Sequence, residues 1–430
     1  MHDQEGQPMN EPRKWVVLSS GNGSTNLGDE AMWISAAQAV RQHDPTAAIV
    51  TDASKLWLSP IPGVTSHPFF HGALRRGTRL SPELRQKVPL LDSLISFPAK
   101  EHEAVKQVHR ISTGTSSTPL VDFWAEQIEG SNGLIFSGAG AITKDYAVHG
   151  IYAWWALASM AHRAGIPVAF IGQGVGPDIA PKHESYVREM FEMADLITVR
   201  EAQSAEIVRA LSPSSVDPTV TYDWALAIEP TAEERQLASA LALENAGGAP
   251  FYVLSLHRRS QHARRPVRQL ARIADEVVHA AKQRGAAVLF VSNMTAGRYS
   301  DDRVTADLIT RSMTLGAEPR VVRQRLSPGT TRALLGLSQG TIATRYHPIV
   351  FALSEGTPVW GLSSDAYYDQ KLSGISTSFG VTHNVSRISD PSISGESIIR
   401  NLGEQAPITV EGDILASIRK PLIDFLSKHS

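Results

Sequence analysis

Short apolar, β-prone runs alternate along the chain with stretches of helical periodicity. In the first half the runs are WVVLSS (Trp15 to Ser20), AAIVTD (Ala47 to Asp52), LIFSG (Leu134 to Gly138), PVAFIG (Pro167 to Gly172), DLITVR (Asp195 to Arg200) and TVTYD (Thr219 to Asp223). A long helix is expected around Tyr152 to Arg163. Continuously apolar strands separated by helices describe a parallel sheet covered on both faces, because a strand buried on both sides has no solvated face to alternate toward. An Ala- and Glu-rich stretch from Glu229 to Pro250 reads as a connecting helix and linker. The pattern then restarts with FYVLSL (Phe251 to Leu256), AVLFVS (Ala287 to Ser292), RVVRQ (Arg320 to Gln324), GTIATR (Gly340 to Arg345) and PVWGLS (Pro358 to Ser363). Helical patterns at Gln269 to Arg284 and Thr331 to Leu337 separate them, and an amphipathic helix from Asp413 to Leu426 ends the chain.

The expected fold class is α/β, with two Rossmann-like, doubly wound parallel-sheet domains facing a cleft. The boundaries read as 14–228 for the first, 250–410 for the second, and 411–430 for a terminal helix. One segment, about 59–120, breaks the alternation. It is rich in Pro, Ser, His and Arg, with weak periodicity, and reads as a basic insertion, either a solvated excursion or a lid.

Composition narrows the chemistry. Lys plus Arg is 41 and Asp plus Glu is 43, a net charge of -2, so there is no bulk attraction to nucleic acid or an anionic membrane. Any anion site must be local. There is no cysteine, which removes disulfides, thiolate nucleophiles and cysteine-ligated metals. The histidines His2, His43, His67 and His71 show no ligand spacing, so no resident metal is expected, with assistance by a divalent ion left open, and no cofactor is expected. The polar opening MHDQEGQPMNEPRK is unlike a secretory signal. The apolar stretch from Ile151 to Gly172 is broken by His162, Arg163, Gly165 and Pro167, so it reads as helix then strand. A cytoplasmic location is expected, compatible with peripheral membrane contact.

Candidate chemistry gathers at strand ends. GNGSTNLGDE (Gly21 to Glu30) follows a strand and opens a helix, where backbone N–H groups attract anions. It is not a dinucleotide fingerprint, since the third glycine falls too late, at Gly28. Asp29 and Glu30 suit either helix capping or contact with a sugar hydroxyl. SGAGAITKDY (Ser137 to Tyr146) and GQGVGP (Gly172 to Pro177) add two more Gly-rich strand ends. Asn26 and Gly174 in these loops are candidate substrate-binding residues. Arg200 closes a strand, where its fork suits a carboxylate or phosphate, and pairing with an acid such as Asp223 is the competing explanation. In the second half one of Arg258 and Arg259 is expected to face the cleft, with Arg258 the candidate. TRYHPIVFALSEGTPVWGL puts Arg345 at a strand end and His347 at a helix start, and Lys371 follows the next strand.

Taken in order, GNGSTNLGDE, GQGVGP, VREAQS, TYDWAL, TRYHPIVFALSEGTPV and YYDQKLSG resemble the polysaccharide pyruvyl transferases over roughly residues 15 to 375. Two departures are visible: Ala139 interrupts the glycines of SGAGA, and Pro348 follows His347. The resemblance implies a fold like the B-type glycosyltransferases. It also implies transfer of pyruvate from phosphoenolpyruvate to a glycan or lipid-linked sugar as a cyclic ketal, with release of phosphate. By motif position, Arg200, Arg345 and His347 contact the donor, while Asp29 and Lys371 are further site residues, with His347 and Asp29 as the catalytic pair. A nucleotide-sugar glycosyltransferase, or a non-catalytic sugar- or anion-binding protein on the same fold, is the alternative.

Overall fold

The computed structural model describes residues 13–19, 21–22, 26–54, 57, 59–74, 101–115, 118–258, 264–295, 301–316, 318–406, 408 and 413–430. These group into two compact units that are not consecutive stretches of chain. One draws on Met1–Ser20, Ala36–Thr221 and Arg419–Ser430, the other on Gly21–Ser35 and Tyr222–Ile418.

The first unit holds seven strands: β1 (Lys14–Leu18), β2 (Ala48–Asp52), β3 (Val64–His67), β4 (Gly133–Phe136), β5 (Val168–Gln173), β6 (Leu196–Val199) and β7 (Thr219–Val220). Their order is β3-β2-β1-β4-β5-β6-β7, and every pairing is parallel. The central strands β4 and β5 are buried along their whole length. Their Phe136 and Phe170 rings stack at 4.4 Å, with Trp154 of the helix Ala153–Arg163 5.2 Å from Phe136. Such a core needs a cover on each face, and the helices between strands provide it.

The 59–120 segment is less irregular than its sequence suggested. Val64–His67 pairs with β2 as the edge of the sheet, and its mostly polar, incompletely buried residues are those of a strand with one neighbour. The helix Glu101–Ser112 buries Ala104, Val108 and Ile111, a narrow apolar stripe among charges. Its first residue is fastened by three donors: Glu101 accepts from Lys182, from His183 Nε2 at 2.6 Å and from Tyr152 OH at 2.8 Å. Residues 75–100 of the expected insertion lie outside the described residues.

The second unit has six strands: β8 (Phe251–Ser255), β9 (Ala287–Phe290), β10 (Arg320–Val321), β11 (Thr341–Ala343), β12 (Val359–Ser363) and β13 (Val385–Arg387). Their order, β10-β9-β8-β11-β12-β13, is again wholly parallel and repeats that of β3-β2-β1-β4-β5-β6 in the first unit. The order reverses between β8 and β11, so the carboxyl ends of these two strands flank the switch point where open α/β sheets bind ligands. The buried Arg332 ties this unit internally, donating to the carbonyls of Leu226 and Ser354 and, at 2.6 Å, to Glu355.

Candidate functional site

β11 ends at Ala343, and the chain turns through Thr344 and Arg345 into the helix Tyr346–Ser354. Arg345 occupies the N-cap position with extended backbone, but its side chain makes no capping bond. A guanidinium has no acceptor to offer the helix's first N–H groups. It turns instead to Asp302, with Nε 3.0 and 2.9 Å from the two carboxyl oxygens and Nη2 2.7 Å from Oδ1. Asp302 opens the helix Asp302–Thr310 and is fully buried. Its Oδ2 also accepts the N–H groups of Asn293 and Met294 at 3.0 and 2.9 Å. Burial pushes the Asp302 carboxyl above the usual carboxylate value, against the pull of Arg345 and of these backbone donors.

Asn293 leads to the second element of the site. Leu27 N–H donates to the Asn293 carbonyl at 3.1 Å, and Asn293 Nδ2 donates to Asn26 Oδ1 at 3.3 Å. Asn26 precedes the helix Leu27–His43 and donates from Nδ2 to Asp29 Oδ2 at 2.8 Å. Glu30, one residue on, receives Arg325 Nη2 at 2.8 Å. The candidates Asn26 and Asp29 therefore belong with Arg345, joined to it through Asn293 and Asp302.

His347 lies on the same helix start. Its ring covers Gly28, where a Cβ would fall 1.9 Å from Nδ1. On its other side Asp223 Oδ2 stands 3.9 Å from Nε2. Asp223 is fully buried and caps the turn Trp224–Ala227, accepting Ala225 N–H at 2.8 Å. Lys371 sits in the helix Ala366–Thr377 with its ammonium 4.9 Å from the centre of the Tyr346 ring, a cation–π distance. At the end of β8, His257 N–H and Nδ1 meet Thr344 Oγ1 at 2.7 and 2.8 Å, and the Tyr368 ring lies 5.9 Å from His257. Arg258 follows, half-buried, at the same strand end. Its rival Arg259 lies outside the described residues.

Arg200 and Gly174 belong to the first unit. Arg200 leaves the end of β6 with a side chain only 4% exposed, and its Nε donates to Glu201 Oε2 at 2.8 Å. Glu201 is thus one acid that pairs with this guanidinium. Glu201 also accepts from Ser204 Oγ, which in turn receives Val175 N–H at 2.8 Å. A Cβ on Gly174 would lie 2.5 Å from Arg200 Nη2, so this glycine makes room for the guanidinium.

Asp302, Asn293, Gly28 and Asp223 were not singled out as site residues from sequence. Gly28 and Asp223 lie within the motifs GNGSTNLGDE and TYDWAL, but each acts on a residue remote in the chain, which a local motif does not reveal; Asp302 and Asn293 lie in none of the motifs. Among the described residues no group of three His, Asp or Glu is placed to hold a metal ion, and no helix is long and apolar enough to cross a membrane.

Residues 26–366 match the family model for polysaccharide pyruvyl transferase. The chain belongs to the polysaccharide pyruvyl transferase family. The match runs from Asn26 to Ala366, the first residue of the Lys371 helix, so it takes in Asn26, Asp29, Arg345 and His347 and stops short of Lys371. Membership indicates a transferase. No curated protein matches the sequence of this pyruvyl transferase family member. In fold it is similar to UDP-GlcNAc 2-epimerase from Methanocaldococcus jannaschii, with TM-score 0.58 and 9% identity over 97% of this chain and 99% of that one. The UDP-GlcNAc 2-epimerase of Neisseria meningitidis gives TM-score 0.53 and 13% identity over 97% and 100%. An α,α-trehalose-phosphate synthase (UDP-forming) from Burkholderia vietnamiensis gives 0.53 and 12% over 98% and 99%. At such identities the likeness concerns the fold alone, two parallel-sheet α/β domains of the B-type glycosyltransferase kind.

Proposed function

We propose that this protein transfers pyruvate from phosphoenolpyruvate to a sugar, forming a cyclic ketal and releasing phosphate. The observation that carries the reading is the pair at the end of β11: Arg345, its guanidinium plane fixed by Asp302, and His347 two residues later, seated over Gly28. Phosphoenolpyruvate has a carboxylate, a phosphate and an enol carbon that must gain a proton. A rigid guanidinium suits the anionic groups, since a donor fork held in place loses little freedom on binding. An imidazole suits delivery of a proton to C3, or a hydrogen bond to the phosphate.

In the reaction one sugar oxygen bonds to C2 as C3 takes up a proton. A second sugar oxygen then bonds to C2 as the bond from C2 to the phosphate oxygen breaks. The proton of the second hydroxyl leaves with phosphate. Asp29, tethered by Asn26, is assigned to accept a proton from a sugar hydroxyl. Lys371 and Arg258 supply further positive charge in the same unit. Arg200, packed on Gly174 in the first unit, is assigned to an anionic group of the donor. The acceptor is a glycan or lipid-linked sugar.

The test is to incubate the protein with phosphoenolpyruvate and candidate glycans, following phosphate release and the added pyruvyl mass by mass spectrometry. His347→Ala is expected to slow turnover by about 10²–10⁴-fold, the range for loss of a positioned acid or base. The structural relatives named for UDP and UDP-GlcNAc supply the contrasting ligand. Thermal stabilisation by UDP-GlcNAc, with none by phosphoenolpyruvate, would overturn the donor assignment.

A further inference from the structure

His347 rests against a residue that has no side chain. An ideal Cβ on Gly28 would lie 1.9 Å from His347 Nδ1, 2.0 Å from Cγ and 2.2 Å from Cε1. These are bonded-scale distances, so the ring lies flat against the Gly28 Cα. The backbone does not itself call for glycine there. Gly28 stands in the first turn of a 17-residue helix and is not among the glycines with positive φ. In an ordinary helical conformation alanine is the better helix former. Space for the imidazole is what remains to explain it.

The ring has little room to withdraw. Asp223, fully buried, faces Nε2 at 3.9 Å, the Tyr346 ring stands 5.2 Å away and that of Phe351 6.4 Å. The glycine cannot easily withdraw either. Gly28 N–H donates to Asn26 Oδ1 at 3.3 Å, and Asn26 and Leu27 are both bonded to Asn293. Asn293 is held in turn by Asp302, the partner of Arg345.

We propose that Gly28 is a positioning residue, which sets the His347 imidazole relative to Arg345 by letting it lie on the first turn of the helix. The proposal rests on the role given to His347 above. A methyl group at position 28 must displace the ring by more than an ångström. Misplacement on that scale costs about 100-fold in rate when it separates a catalytic group from its target.

The test compares wild type, Gly28→Ala, His347→Ala and the double variant. The readouts are phosphate release with phosphoenolpyruvate and a glycan acceptor, the melting temperature, and the imidazole NMR resonance of His347, assigned by its loss in His347→Ala. Gly28→Ala should lower kcat about 100-fold and shift the His347 resonance. The double variant should be no slower than His347→Ala, because the two changes act through one ring. Should Gly28→Ala fold poorly, the double variant, which removes the ring, should recover the melting temperature of His347→Ala. Three results overturn the proposal: an unmoved His347 resonance in Gly28→Ala, multiplied rate defects in the double variant, or a double variant that also fails to fold. If wild type shows no turnover with phosphoenolpyruvate, the functional reading fails, while the resonance and the melting temperatures still decide the part played by Gly28.

Discussion

Arg345 and Asp302 form an ion pair whose acid is sealed from solvent, and the two residues stand 43 positions apart in the chain. Removing one partner of such a pair is costly, because the other keeps its desolvation without its compensation. Asp302→Ala also abandons the N–H groups of Asn293 and Met294. It is expected to lower unfolding free energy by about 3–5 kcal/mol in urea titrations. Asp302→Asn, which keeps an oxygen for those donors, should lose less. Arg345 and His347 stood out in the sequence as candidates because of their strand-end and helix-start positions and their residue types. Asp302 and Gly28 did not. An aspartate at a helix start reads as a cap, and a glycine after a strand reads as a turn. Only the folded chain brings an arginine to the first and an imidazole to the second.

At the scale of elements, one glutamate fastens two helices. Thr231 and Glu234 form a reciprocal capping box at the start of the helix Ala232–Ala246. Glu234 also accepts from Ser327 Oγ, and Ser327 caps the helix Pro328–Gly336. Thr231→Ala removes one cap and should cost about 0.5–2 kcal/mol by chemical unfolding. Glu234→Ala touches both helix starts and should cost more than Thr231→Ala. The strands seen from sequence were mainly those buried on both faces, such as β4, β5 and β8, since unbroken apolar runs mark them. The edge strands β3 and β13 were missed, as VTSH and VSR carry too little apolar signal for a strand with a single neighbour.

At the scale of the whole molecule, the repeated apolar pattern gave away two parallel sheets. It held no information on which unit Gly21–Ser35 would join, because that choice is made by contacts such as Leu27 with Asn293 and Glu30 with Arg325. Global stability also carries a pH signature from one buried group. Asp52, at the end of β2, is fully buried in effect, and burial pushes its carboxyl up to about 7 despite the bond it accepts from Ser19 N–H at 2.8 Å. Its folded value lies above its ordinary value of 3.8. The folded chain therefore holds a proton that the unfolded chain has released. The stability linked to that proton is complete below the ordinary value and is lost as pH rises through about 7. Asp52→Asn cannot ionise and can still accept from Ser19. Its unfolding free energy, measured against wild type in urea, should improve as pH rises from about 4 to about 7 and level off above that. A constant difference across that range would contradict the buried, protonated state.

If Arg345 holds the donor as proposed, the bonds made by Asp302 have a practical bearing on any attempt to redesign donor selectivity. A library that randomises position 345 alone leaves behind a sealed carboxyl group shaped for a guanidinium, so most of its members would be screened in a weakened scaffold. Varying 302 and 345 together, with neutral or inverted pairs included, would separate variants that reject the donor from variants that have simply lost their footing.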